Sequence, residues 1–550
     1  MASEYSRLLR QDFSDIQAAA KAWRDLSRSA DHLTDRHRRE VTGPLHHSWK
    51  GDDADAALFY LEDVASRLGV VETEAMAVAS VLDRTRSSME AAQKELRDTV
   101  RTAEADGYKV DDDGWVSDPT TEGLPHNDPD TQGVIADRSG PLGEYRARID
   151  EALAKAHRAS NDGAKALTDL NGDILTDPTK HDAATESSQD AKAAMKAVGL
   201  QPPRIPDDPK DAADWWESLS SNERETYAAL YPKQIGSTDG LPSDVRDDAN
   251  RTAIAQELNA LQEGNYAENF PGESEETINQ RLSNLELLNE RLEASDSAPK
   301  GKELYVLGYD SKDDGRAIIA MGNPDTAAHT GIMVPGTNTE MGGVPGQLER
   351  IDQLQNAAEK RSDGESVSMI TWLGYDTPEA SATDFNSVAG TGRAEDAAPD
   401  LRSFVQGTKA SHDDSPSHTT VMGHSYGSTV VGAAAAGGSG LGADDIVVAG
   451  SPGMTVANAR QLHIDPEHVW VGGASDDPIS NHASGYTLGP DPMNVNFGGN
   501  NFEVDTHGHS GYWDKGSESL DNQGRIIAGR QPTESPKEGN YVPPDGLVPG

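Results

Sequence analysis

No cysteine occurs in the 550 residues, so disulfide cross-links and thiol nucleophiles are both excluded. A chain without bridges suits a reducing cytoplasm, and equally an exported protein that dispenses with them. Nowhere is there a run of about 18 apolar residues, so no membrane-spanning segment is expected. The start, Met1-Ala2-Ser3-Glu4-Tyr5, lacks the basic-then-apolar pattern of a cleaved signal peptide. The expected location is therefore the cytoplasm, or outside the cell by a route that needs no such signal. Basic residues are scarce: 48 Lys and Arg against 93 Asp and Glu give a net charge of −45. Such a surface repels nucleic acid and anionic headgroups, which removes both from the expected partners. Solubility, or adaptation to salt, accounts for the acidity without any special tail.

The length is too great for one core and predicts several domains. Residues 1–110 read as two long helices. Phe13, Ile16, Ala20, Trp23, Ala30 and Leu33 form an apolar seam on the first, and Leu58, Leu61, Val64, Leu68, Val71, Ala75, Val78 and Leu82 on the second. Residues 111–213 read as a linker followed by a helical segment: an Asp-, Pro-, Gly- and Thr-rich stretch to about 138, then a helix over Leu142–Leu170. A helical region over 214–300 precedes or covers the next domain, with Ile278, Leu282, Leu285, Leu288 and Leu292 on one face.

From 301 to 530 short β-branched runs alternate with helices, which predicts an α/β domain. The expected strands are Glu303–Tyr309, Arg316–Met321, Thr330–Val334, Val367–Leu373, Thr419–Met422, Ile446–Ala449, His468–Gly472 and Asn501–Val504. Residues 531–550 read as a Pro-rich tail.

After the fifth expected strand comes Gly423-His424-Ser425-Tyr426-Gly427, and then a small-residue helix. Strand, G-x-S-x-G, helix is the setting of a nucleophile elbow, in which Gly423 and Gly427 allow the sharp turn that exposes the Ser425 hydroxyl. A serine hydroxyl is weakly nucleophilic and needs a base, and that base needs an orienting carboxylate. After the seventh strand, Ser475-Asp476-Asp477-Pro478 offers Asp477, with Asp476 as the alternative. After the eighth, Asp505-Thr506-His507-Gly508-His509 offers His509, with His507 as the alternative. Asp505, His507 and His509 have metal-ligand types at alternate positions, but no second cluster completes a site; neither metal nor cofactor is expected. An oxyanion needs two donors: the N–H of Tyr426, and one from the loop Val334-Pro335-Gly336-Thr337 after the third strand, with Thr337 ahead of Gly336.

These residues together resemble the α/β-hydrolase superfamily, and within it an actinobacterial serine-hydrolase-like family of unknown function. The resemblance covers about residues 214–530 and includes Gly240-Leu241-Pro242, Arg246-Asp247-Asp248-Ala249-Asn250-Arg251 and His509-Ser510-Gly511-Tyr512. It implies an α/β-hydrolase fold, an eight-stranded mostly parallel sheet with flanking helices, and a Ser-Asp-His triad. Separately, Trp49-Lys50-Gly51 between the first two helices resembles the Trp-x-Gly helical hairpins of type VII secretion. Tyr108-Lys109-Val110-Asp111-Asp112 fits that family's export signal, or else begins a small β-ribbon. The hairpin implies a dimer or another partner, or packing on the chain's own downstream helices.

The function expected is a carboxylic ester hydrolase acting on a small-molecule or lipid ester. The alternative is a partner-binding or exported protein that uses the fold as a scaffold. The gap from Gly450 to Glu467 leaves little room for a cap, so the N-terminal helices are expected to cover the site. No Lys or Arg pair beside the elbow or the oxyanion loop suggests an anionic substrate.

Overall fold

The computed structural model describes residues 3–125, 128–170, 183–262, 270–379, 388–412, 416–482 and 487–535. From residue 536 onward the expected tail lies outside the described residues. Two compact units emerge: Met1–Asp35 with Val64–Pro203, and Arg36–Asp63 with Arg204–Gly550. No helix among the described residues is long and apolar enough to cross a membrane.

The first unit is helical. Within it residues 14–35 of the helix Ser14–His37 lie beside residues 64–105 of the helix Asp52–Ala105, joined by Arg24 Nη2 to Asp83 Oδ2 at 2.8 Å and by Ser27 Oγ donating to Glu72 O at 3.0 Å. The third long helix begins at Pro129, not near Leu142. Asp128 caps it through the amide of Asp130, and Pro129 at the first helical position needs no partner for its missing N–H. Upstream of Pro141, Arg138 is bound to Asp118 at 2.6 Å and lies 4.2 Å from the Tyr108 ring centroid. Those contacts hold the first turns despite the hydrogen bond that Pro141 removes. Tyr108 is buried and donates to Arg138 O, and the next two residues, Lys109–Val110, pair with Val116–Ser117 as a ribbon.

In the second unit one eight-stranded sheet is built from β1 Leu304–Asp310, β2 Arg316–Met321, β3 His329–Val334, β4 Val367–Leu373, β5 His418–His424, β6 Asp445–Ala449, β7 Val469–Gly472 and β8 Asn500–Asn501. Their spatial order is β8-β7-β6-β5-β3-β4-β2-β1. The run from β8 to β4 is parallel and β2 is antiparallel to both its neighbours. Strands β3, β4 and β6 are buried along their whole length, which explains their near-continuous apolar sequences. Only the last strand departs clearly from expectation. Its pairing is confined to Asn500–Asn501, and Phe502 leaves the ladder after one more bond, its N–H donating to Val471 O at 3.1 Å.

An open sheet edge presents unpaired amides and carbonyls. Here the helix Ser243–Gln262 covers the β1 edge with polar side chains. Asp247 accepts from Val306 N at 2.7 Å, Asn250 donates to Val306 O at 2.8 Å, and Arg251 donates to Leu304 O at 2.9 Å. Arg246 donates to Leu307 O, at the position where β1 slips register against β2. The Arg246–Arg251 motif thus braces the sheet. Between β6 and β7 the described chain forms only 3-10 turns, at Ala459–Gln461 and Pro466–His468.

Candidate active site

Ser425 stands between β5 and the buried helix Tyr426–Ala436, with φ 53° and ψ −130°. A non-glycine residue in that region costs about 1–3 kcal/mol, so the surroundings must enforce it. Ser425 N donates to Ala449 O at 3.1 Å, and Ser428 returns two bonds to Ser425 O. A Cβ at Gly427 would lie 2.2 Å from Val334 O, and one at Gly423 would lie 2.6 Å from Ser428 Cα. Neither position accepts a side chain. Gly336 approaches as closely from β3: a Cβ there would sit 2.7 Å from Ser425 Cβ. The oxyanion-loop candidate is therefore in contact with the serine. Tyr426 N–H opens its helix and has no intrahelical acceptor. The neighbouring candidate, Thr337 N–H, makes no backbone hydrogen bond among the described residues.

Asp477 and His509 come together although 32 residues separate them. His509 Nδ1 lies 3.0 and 2.9 Å from the two carboxylate oxygens, so Nδ1 carries the hydrogen and Nε2 keeps its lone pair. Asp477 is 0% exposed. Burial alone would raise its carboxyl, but bonds from His509, Tyr512 Oη–H at 2.6 Å and Ile479 N–H at 2.8 Å outweigh that and hold it down to about 2. Among the described residues the Ser425 hydroxyl and His509 Nε2 are bonded to nothing, including each other.

The alternatives go elsewhere. Asp476 accepts from Gly508 N at 2.7 Å and pairs with His507, whose side chain is 81% exposed. Asp505 accepts from Ser519 N at 3.2 Å. Asp505, His507 and His509 therefore face three different partners rather than one ion.

A family model described as alpha/beta hydrolase matches residues 310–486. That span contains Ser425 and Asp477, and ends before His509. An uncharacterized protein of Mycobacterium tuberculosis is 28% identical over 564 residues, covering 89% of this chain and 80% of its own. Uncharacterized proteins of Mycobacterium bovis and Mycobacterium tuberculosis are 32% identical over 215 residues, covering 37% of this chain and 76% of theirs. The chain belongs to the same family as these proteins, and it carries an alpha/beta hydrolase domain.

Four further residues of the candidate site have no role assigned from the sequence. Gly450, with φ 60°, follows β6; a Cβ there would lie 2.8 Å from Asp477 Oδ2 and 3.1 Å from His509. Its signal was a glycine directly after a strand. Tyr512 fixes Asp477, as above, and belongs to the quoted His-Ser-Gly-Tyr motif. His424, inside the pentapeptide, donates from Nε2 to His509 O at 2.8 Å. Arg350 lies 3.9 Å over the Trp513 ring, and its charge reaches His424. No spacing pattern points to it; it is a single cation, not a pair, and its charge acts on His424.

Proposed function

We propose that the hydrolase domain is a serine hydrolase acting on carboxylic esters. Ser425 Oγ attacks the ester carbonyl carbon while His509 Nε2 takes its proton. The carbonyl π pair moves to oxygen, which is held by the N–H groups of Tyr426 and Thr337, with Gly336 N–H as the alternative donor. Collapse expels the alcohol oxygen, which leaves with the proton from His509. Water then repeats the sequence on the acyl-Ser425 and releases the acid. Asp477 keeps His509 in the productive tautomer and stabilises its imidazolium. The observation that carries this reading is His509, partly exposed and bound to the buried Asp477, beside a serine in strained backbone geometry. Substrate binding must close Ser425 Oγ and His509 Nε2 to hydrogen-bond distance, a contact that commonly tightens only in the complex.

In this reading residues 301–530 carry catalysis and 214–300 brace the sheet edge; of 1–110, Arg36–Asp63 belongs to the sheet-bearing unit, and the remainder is the part that meets partners. The burial of Tyr108 favours a structural role for it over an export signal. A small neutral ester suits the net charge of −45.

A fluorophosphonate probe on the full-length protein tests the proposal. Labelling mapped to Ser425 by mass spectrometry, absent in Ser425→Ala and strongly reduced in His509→Ala, is expected. A folded protein that stays unlabelled would shift the reading to a non-enzymatic scaffold.

A further inference from the structure

His424 ends β5 immediately before Ser425, and the mechanism above gives it no task. Its Nε2 lies 2.8 Å from the main-chain oxygen of His509. A carbonyl only accepts, so Nε2 carries the hydrogen. The His424 ring centroid is 4.7 Å from that of His509 and 4.8 Å from that of Trp513, which meets it edge-on at 82°. Arg350, on the helix Val344–Glu359, lies over Trp513. The charged and titratable groups facing His424 are Arg350 from that helix, His509 and Tyr512 from the loop after β8, and Asp477 from the turn after β7. Burial first, and then the charges of Arg350 and His509, push the His424 imidazole down to about 3, so the ring stays neutral wherever the protein works.

We propose that His424 is a positioning residue, a clamp that ties the main chain of His509 to the end of β5 and so holds the base in register with Ser425. This rests on the serine-hydrolase reading. The elbow and the histidine loop are far apart in sequence, and the 2.8 Å bond joins them one residue from the nucleophile. Any drift of the loop at that point changes the distance between His509 Nε2 and Ser425 Oγ, and an error of about 1 Å in such a contact can cost about 100-fold in rate.

The test uses the full-length protein, 4-nitrophenyl acetate turnover and fluorophosphonate labelling at Ser425. His424→Phe keeps a ring against Trp513 and loses the donor. Its kcat and labelling rate are expected to fall about 10- to 100-fold with little change in KM. His424→Gln restores an N–H at similar reach and should recover most of that loss. If His424→Phe loses its thermal unfolding transition, His424→Leu replaces it. Wild-type labelling rates in the apolar variant would overturn the clamp, as would a Gln variant no faster than the Phe variant. A wild-type protein that is never labelled at Ser425 would instead bring down the serine-hydrolase reading, and the clamp with it.

Discussion

The two ends of the parallel strands both carry histidines bound to a buried aspartate, yet only one of them sets that pair against the strained backbone of Ser425. At the C-terminal ends stand Ser425, Asp477 and His509. At the N-terminal ends His329 begins β3, His418 begins β5, Asp445 begins β6 and His468 precedes β7. Asp445 lies 3.0 Å from a nitrogen of His418, 3.0 Å from one of His468, and accepts from Trp470 Nε1–H at 2.8 Å. The difference lies in what each imidazole has left to offer. His418 faces acceptors on both nitrogens, Asp445 on one side and Ile527 O at 3.2 Å on the other. It has no free lone pair and is best satisfied as a cation. His509 faces acceptors on Nδ1 only, which leaves Nε2 able to take a proton. A His–Asp pair is therefore no signature of catalysis by itself. The serine-hydrolase proposal rests instead on an imidazole nitrogen left without an acceptor among the described residues, beside a serine in strained backbone geometry.

Removing the serine separates the two ends most sharply. Ser425→Ala should lower ester turnover by about 10⁶-fold, the scale seen when a triad nucleophile is deleted. His418→Gln should leave Ser425 labelling untouched. Activity that survives in Ser425→Ala would place the chemistry elsewhere.

The two aspartates come next. Asp477→Asn loses the carboxylate that fixes the His509 tautomer, and kcat should drop about 10⁴-fold. Asp445→Asn should lower the melting temperature without slowing Ser425 labelling. Equal kinetic losses from both substitutions would erase the distinction between the two ends.

A smaller effect is expected at Gly450. Gly450→Ala puts a methyl 2.8 Å from Asp477 Oδ2 at a φ of 60°. The crowding should displace His509 and cost about 10- to 100-fold in kcat. An unimpaired variant would mean that the close approach at Gly450 does not set the position of the Asp477–His509 pair.

What could be read beforehand depended on locality. The pentapeptide around Ser425 carries its own strand, turn and helix signals, and seven of the eight strands fall within one or two residues of expectation, the parallel ones because buried parallel strands are continuous apolar runs. Asp477 against Asp476, and His509 against His507, were ambiguous for a physical reason. Adjacent or alternate residues share one local pattern, and only the fold decides which side chain turns inward. Arg350 carries no local signal, and Gly450 only that of a glycine after a strand, because their relevance lies in contacts with residues distant in sequence. The helix from Pro129 was obscured by Pro141, whose local penalty is offset by the Asp118–Arg138 pair, a contact that no local pattern reports.

The smallest expected effect is a pH-dependent share of stability at the N-terminal ends of the strands. Burial pulls the His418 imidazole down, but its bond to Asp445 and the charges of Asp445 and Asp444 prevail, so its pKa is raised above 6.5. A group raised on folding binds its proton more tightly in the folded state. Its contribution is therefore complete below the unfolded value and disappears as pH rises through the folded one. The melting-temperature gap between wild type and His418→Gln should be wider at low pH than at high pH. For this largely buried pair the change should be about 1 kcal/mol, equivalent to about 1–2 °C in a unit this large. A gap that is constant with pH would show that His418 is not held as a cation. It would then keep a free lone pair after all, and the distinction drawn between the two ends of the sheet would rest on Ser425 and its amides alone.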